Sequence, residues 1–269
     1  MNEELNSRQR LIIRLGRSAL AFTVVDPDSA AQPVSYEPYA VNGGISMAAN
    51  LREAIRTTPL LTRSYHRVQI VIDTPSLLVP VDAYDAATAD TLYFHSFPSS
   101  QPLAVLASVL PELNCVALFA ISKDLKLVID DHFTAPLYVN SMEPVWRHLY
   151  QRSYSATRSK LFACFHDERL EVFSFYQQRF RFSNSFPVSH RQDALYYILN
   201  VWHQLGLQAE RDELHLLGEV PEREELLADV RRFLRRAYYI NPTGDFNRSP
   251  VTQVEGLPYD LMTLIVKGR

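Results

Sequence analysis

The sequence predicts a duplicated α/β protein in which each half runs strand, strand, strand, helix, strand, helix. Three observations lead there. Lys160 to Asn184 reads as three consecutive strands: an apolar run Leu161–Phe165, a polar break His166–Arg169, then Leu170–Tyr176 carrying Val172, Phe173 and Phe175. A turn at Gln177 and Gln178 leads to Arg179, Phe180, Arg181 and Phe182, whose alternation places both rings on one face and both guanidinium groups on the other. The same triplet occurs near the N-terminus, and a capped amphipathic helix follows each copy.

In the first half, Leu11–Arg14 is a short apolar strand, Leu15–Arg17 a turn containing Gly16, and Ala19–Val25 a second strand ending at Asp26 and Pro27. Val34–Tyr36 supplies a third. Asn42, Gly43 and Gly44 break the chain, and Ser46 caps a helix whose Met47, Leu51, Ala54 and Ile55 form one stripe. Val68–Ile72 is β-branched and short, as an inner strand is. Ala83–Phe94 has helical spacing, Leu103–Val109 and Val116–Ile121 are of strand length, and Ser122 caps a short helix over Asp124–Ile129. Asn140–Gln151 then sets Met142, Val145, Trp146, Leu149 and Tyr150 on one helical face. The serine- and threonine-rich stretch Arg152–Ser159 marks the boundary, giving subdomains 1–152 and 153–269.

In the second half Ser189 caps a long helix carrying Leu195, Ile198, Leu199, Trp202 and Leu205, which Gly206 ends. Leu214–Leu217 is an inner strand. Pro221 opens a helix with Leu226, Leu227, Val230 and Leu234 inward, and Tyr238–Ile240 is a last short strand. Asn241–Glu255 reads as a polar loop, and Leu257–Val266 as an apolar helix or strand.

Composition narrows the class. The 269 residues are 47% hydrophobic, enough for a substantial core, and 27 basic against 30 acidic side chains offer no global attraction to nucleic acid or anionic membrane. Cys115 and Cys164 sit inside apolar runs as buried hydrophobes do, which suits a reducing, cytoplasmic compartment. Neither a cleavable leader nor a membrane span is suggested. The eight histidines show no zinc spacing, and there is no nucleophile elbow, Walker loop or dinucleotide fingerprint. Asp130, Asp131 and His132 read as a solvated turn.

The repeated order resembles the internal duplication of the actin-like ATPase (ribonuclease H-like) fold. The ordering, with the ending Gly256, Leu257, Pro258, Tyr259, Asp260, Leu261, is similar to a small bacterial family described as actin-like in fold and unknown in function. That resemblance implies ATP and magnesium held at two hairpin turns and an adenosine turn. Working members carry Asp-X-Gly-Thr or a close relative at the first turn, where a carboxylate holds Mg²⁺ through water. Here the matching residues are Arg14, Leu15, Gly16, Arg17 and Ser18, with a cation at the carboxylate position. The second turn offers His166, Asp167, Glu168 and Arg169 without glycine, and the adenosine segment keeps only Gly218.

Glycine lets a backbone approach phosphate closely, and average usage would supply roughly nineteen in this length. The chain has eight. The expectation is therefore a degenerate nucleotide cleft at Arg14, Gly16, Ser18, His166, Asp167 and Gly218, with no cofactor or metal required. Arg14 and Arg17 offer themselves instead as phosphate partners. Function then lies in binding a protein partner or a second copy. The alternatives are an ATPase drawing its carboxylate from Asp73 or Asp167, and an RNA-associated accessory protein. The latter would use Arg231, Arg232, Arg235 and Arg236, which recur at helical spacing before Tyr238 and Tyr239. Glu222, Glu224, Glu225 and Asp229 precede these arginines, so a solvated helix face explains them as well.

Overall fold

Leu11, Ile12 and Ile13 are all fully buried, so the first strand is covered on both faces and belongs at the middle of a sheet. The computed structural model, which describes residues 8–29, 32–153, 158–176 and 179–268, places it there. Strands β1 (Arg10–Leu15), β2 (Leu20–Val25) and β3 (Val34–Tyr39) form an antiparallel meander. Helix α1 (Met47–Thr57) returns the chain to β4 (Arg67–Ile72), parallel to β1. Ser46 caps α1 by accepting from Ala49 N, and the buried Asn50 side chain donates to the carbonyls of Asn42 and Ser46.

Between β4 and the next framework helix lies an inserted three-stranded sheet of β5 (Leu77–Pro80), β6 (Leu103–Leu110) and β7 (Cys115–Ser122), with α2 (Ala89–Ser96) against it. The helix expected over 83–94 begins only at Ala89, because Val81–Ala83 form a 3₁₀ turn. Ser122 caps α3 (Lys123–His132), β8 (Leu137–Asn140) pairs with β4, and α4 (Met142–Ser153) follows. Asp130, Asp131 and His132 end α3 rather than form a loop; Asp130 takes hydrogen bonds from Lys126 and Tyr138, which explains its lowered pKa against the effect of burial.

The second half repeats the plan. Strands β9 (Lys160–His166), β10 (Arg169–Tyr176) and β11 (Arg179–Pro187) form a meander, followed by α5 (Arg191–Gln204), β12 (Glu213–Gly218), α6 (Arg223–Arg231) and β13 (Ala237–Tyr239). The two sheets run β3-β2-β1-β4-β8 and β11-β10-β9-β12-β13, the same order of first, second, third, fourth and fifth strands. A short α7 (Pro242–Asp245), a 3₁₀ turn at Pro250–Gln253 and α8 (Tyr259–Lys267) replace the expected polar loop and settle the closing segment as a helix. The chain parts into two compact units. One comprises residues up to Val109 with Val116–Glu143, the other Leu110–Cys115 with Pro144 onward.

Two expectations in the second unit are corrected. The cap of α5 is His190, not Ser189, in a reciprocal box with Asp193. Phe180 and Phe182 do not share a face: the β10–β11 register slips at Ser174/Phe175, so Phe175 faces Phe180 while Ser174 faces Phe182. The bulge sends Phe180 toward Trp146 and Phe175, and Phe182 into the core under α5 and α6. The turn expected at Gln177 and Gln178 lies outside the described residues. Across this sheet Phe173, Phe162, His215 and Tyr238 pair in register as one aromatic row. Among the described residues no helix is long and apolar enough to cross a membrane.

Candidate functional site

The first hairpin turn is built around Arg14, the one charged residue in the buried part of an otherwise apolar strand. Its side chain is almost fully buried, and its Nη2 donates to Asp73 Oδ2 at 2.7 Å. Asp73 directly follows β4, whose register against β1 sets Leu15 beside Ile72, so the strands themselves bring cation and anion together. Asp73 Oδ1 also accepts from Ser141 Oγ at 3.2 Å. Each buried charge thus has an opposite charge or a hydrogen bond, as the low dielectric requires. Gly16 and Ser18 occupy the tight turn closed by Gly16 N donating to Ala19 O, with Arg17 and Ser18 exposed.

The second turn is a two-residue hairpin in which His166 pairs with Arg169. Asp167 and Glu168 both have left-handed backbones, φ 44° and 57°. That is the I′ geometry whose twist suits a right-twisted hairpin, and it ordinarily selects Asn-Gly. For residues carrying Cβ it costs roughly 1–2 kcal/mol each. The turn borders a pocket of about 190 Å³ lined by Phe165–Arg169, Val188, Ser189, Glu219 and Pro221. His166 is buried in its wall, and Asp167, Glu168 and Glu219 outnumber Arg169, so the carboxylates oppose an anion there. Gly218 sits just behind: its φ is +81°, and Glu219 N donates to Phe165 O at 2.9 Å.

Of the six residues expected at the cleft, the structure brings His166 and Asp167 together in this pocket, with Gly218 reaching it only through its neighbours. Arg14, Gly16 and Ser18 belong to the first unit. Sequence reasoning missed Ser141, Ser189 and Glu219, which lie far along the chain from the turns they adjoin. For Arg14 and Asp73 a signal existed: a cation inside a doubly buried strand demands a carboxylate, and the adjacent parallel strand ends in one. Among the described residues no cluster of His, Cys, Asp and Glu is placed to hold a metal ion.

The arginine group departs from its expected helical face, because α6 ends at Arg231. Leu234 stays inward, but Arg235 and Arg236 lie beyond the helix and turn to Glu210, by side chain and carbonyl respectively. Arg231 donates twice to Ala237 O, and Arg232 is exposed at the helix cap. Both cysteines are buried, and burial, aided by Glu112, pushes the Cys115 thiol up to about 12.

A protein from Bacteroides thetaiotaomicron with an actin-like ATPase fold and unknown function superposes with a TM-score of 0.83 at 24% identity, covering 98% of each chain. A chain of the PilM–PilN type IV pilus biogenesis complex gives 0.55 at 14% identity, over 96% of this chain and 97% of that one. These likenesses establish the actin-like fold. Comparison with curated proteins gives no match. Residues 1–237 match the model of a family described as protein of unknown function (DUF3822), and the chain belongs to that family.

Proposed function

We propose that this chain is a binding protein that keeps the actin-like scaffold while its nucleotide site has degenerated, and that it works through a protein partner rather than by turnover. The observation that carries this reading is the Arg14–Asp73 pair. Where the resemblance expects a carboxylate available to hydrated Mg²⁺, the chain supplies a guanidinium, and the nearest strand-end carboxylate is committed to it. A metal would have to displace a buried, charge-assisted contact before it could bind. The acidic, glycine-free second turn adds support, since its side chains repel phosphate and its backbone carries none of the usual close-approach residues. That a pilus protein of the same fold is solved in a complex with another protein supports the partner-binding half of the reading.

The test is thermal melting with and without millimolar ATP and Mg²⁺. A ligand at 100 times its Kd adds about 2.7 kcal/mol to the native state. The expected result is no Mg²⁺-dependent rise in Tm. A clear rise would overturn the degenerate-site reading in favour of an ATPase and direct attention to Asp167→Ala.

A further inference from the structure

Helices α1 and α3 pack side by side over the first sheet, sending Leu51, Ala54, Val128 and Ile129 into the core. Their outer flanks leave a groove of about 420 Å³ lined by Arg52, Ile55 and Arg56 from α1 and by Val128, Asp131 and His132 from α3. We propose that this groove docks an acidic, amphipathic peptide segment of a partner protein. The inference names a surface for the partner-binding function above and rests on that reading.

Charge complementarity and shape support that occupant. Arg52 and Arg56 lie one helical turn apart, are exposed, and have no carboxylate partner among the described residues. Arg147, Arg158, Arg191 and Arg235 show the alternative, each meeting a Glu or Asp. Like charges at i and i+4 repel, so a partner carboxylate over this pair relieves a standing penalty as well as forming forked hydrogen bonds. Ile55 and Val128 give the groove an apolar floor, and Leu127, 56% exposed, stands on α3 one turn before Asp131. That pattern accepts an amphipathic segment laid along the two helices, apolar side chains down and carboxylates toward α1. Asp131 sets polarity by excluding acidic residues from the α3 side. It also disfavours a nucleic acid, as does a floor of aliphatic rather than aromatic side chains.

The probe is a fluorescein-labelled 12-residue peptide with Glu and Leu at helical spacing, beside a version with Gln in place of Glu. Fluorescence anisotropy at low salt should show saturable binding of the Glu peptide. Binding should weaken at least tenfold in R52E/R56E and severalfold in Leu127→Ser, with the difference shrinking as salt rises. All three positions are surface residues, and an unchanged Tm for each variant shows that folding is intact. Absent saturable binding, equal binding of the Gln peptide, or equal binding by the variants would overturn the proposal. Tight RNA binding lost in the same variants would reassign the groove to polyanions and overturn it too. The ATP melting experiment decides the wider reading separately, because neither α1 nor α3 belongs to the hairpin turns.

Discussion

Arg14 and Asp73 stand 59 positions apart in sequence yet meet at 2.7 Å, with side-chain exposures of 5% and 0%. A pair so enclosed has lost its water, so its parts are worth far more than the pair. Asp73→Ala, which removes the carboxylate facing a buried guanidinium, should cost about 3–5 kcal/mol in urea denaturation. The joint replacement Arg14→Met with Asp73→Leu should recover most of that loss. A double variant no more stable than Asp73→Ala would show that the pair does more than neutralise itself.

Gly218 lies opposite Phe165 in the parallel β9–β12 register, and a β-carbon there would sit 2.2 Å from Phe165 O. With φ at +81° the backbone penalty adds to the clash. Gly218→Ala should therefore lose about 3 kcal/mol or more. A loss under 1 kcal/mol, read from the urea midpoint, would refute the close approach.

The second hairpin turn invites the opposite experiment. Replacing Asp167 and Glu168 with Asn-Gly supplies the residues that their positive φ values favour. The change should stabilise the protein by about 1–2 kcal/mol. It restores a turn glycine, so it also asks whether backbone alone limits phosphate binding; Tm with ATP and Mg²⁺ should remain as unresponsive as in the parent. An unchanged or lowered melting temperature without ligand would contradict the strain.

His148 donates from Nε2 to Asp245 Oδ2 at 2.9 Å; the same carboxylate accepts from Tyr259 OH and pairs with Arg152. Burial, then Arg152 and Lys267, lowers the His148 pKa to about 4, whereas an unfolded histidine titrates near 6.5. Between those values the unfolded chain binds the extra proton, so stability falls as pH drops from about 6.5 to 4. Above pH 7 the effect is absent. His148→Asn should flatten this part of the stability profile, and a profile identical to the parent's would assign the pH dependence elsewhere.

The duplicated order was legible because each strand triplet is apolar at sheet spacing and each following helix carries a cap and stripe, as Ser46 and Ser122 show. Features set by distant contacts were not. The alternation at Phe180 and Phe182 presumes unbroken pairing, and nothing local announces that β11 bulges opposite Ser174. The arginines after Val230 continue a helical period on paper, but α6 stops at Arg231 while their hydrogen bonds go to Ala237 and Glu210. At the turns, motif comparison found the substituted residues. It did not find that Arg14 points into the interior, since that depends on Asp73 in another strand.

Strand β7 has one further consequence. Its Phe119 and Ile121 fill the core beneath α1 and α3, while Val116, Leu118 and Ala120 fill the core against α2. Thr74 Oγ1, donating to Ala120 O at 3.1 Å, ties the outgoing and returning chain at the same place. The inserted sheet is consequently no ornament that a shorter homologue could shed by deletion: excising it would tear a wall out of the framework domain, so any lineage that trims this region must first find new side chains to stand where Phe119 and Ile121 stand.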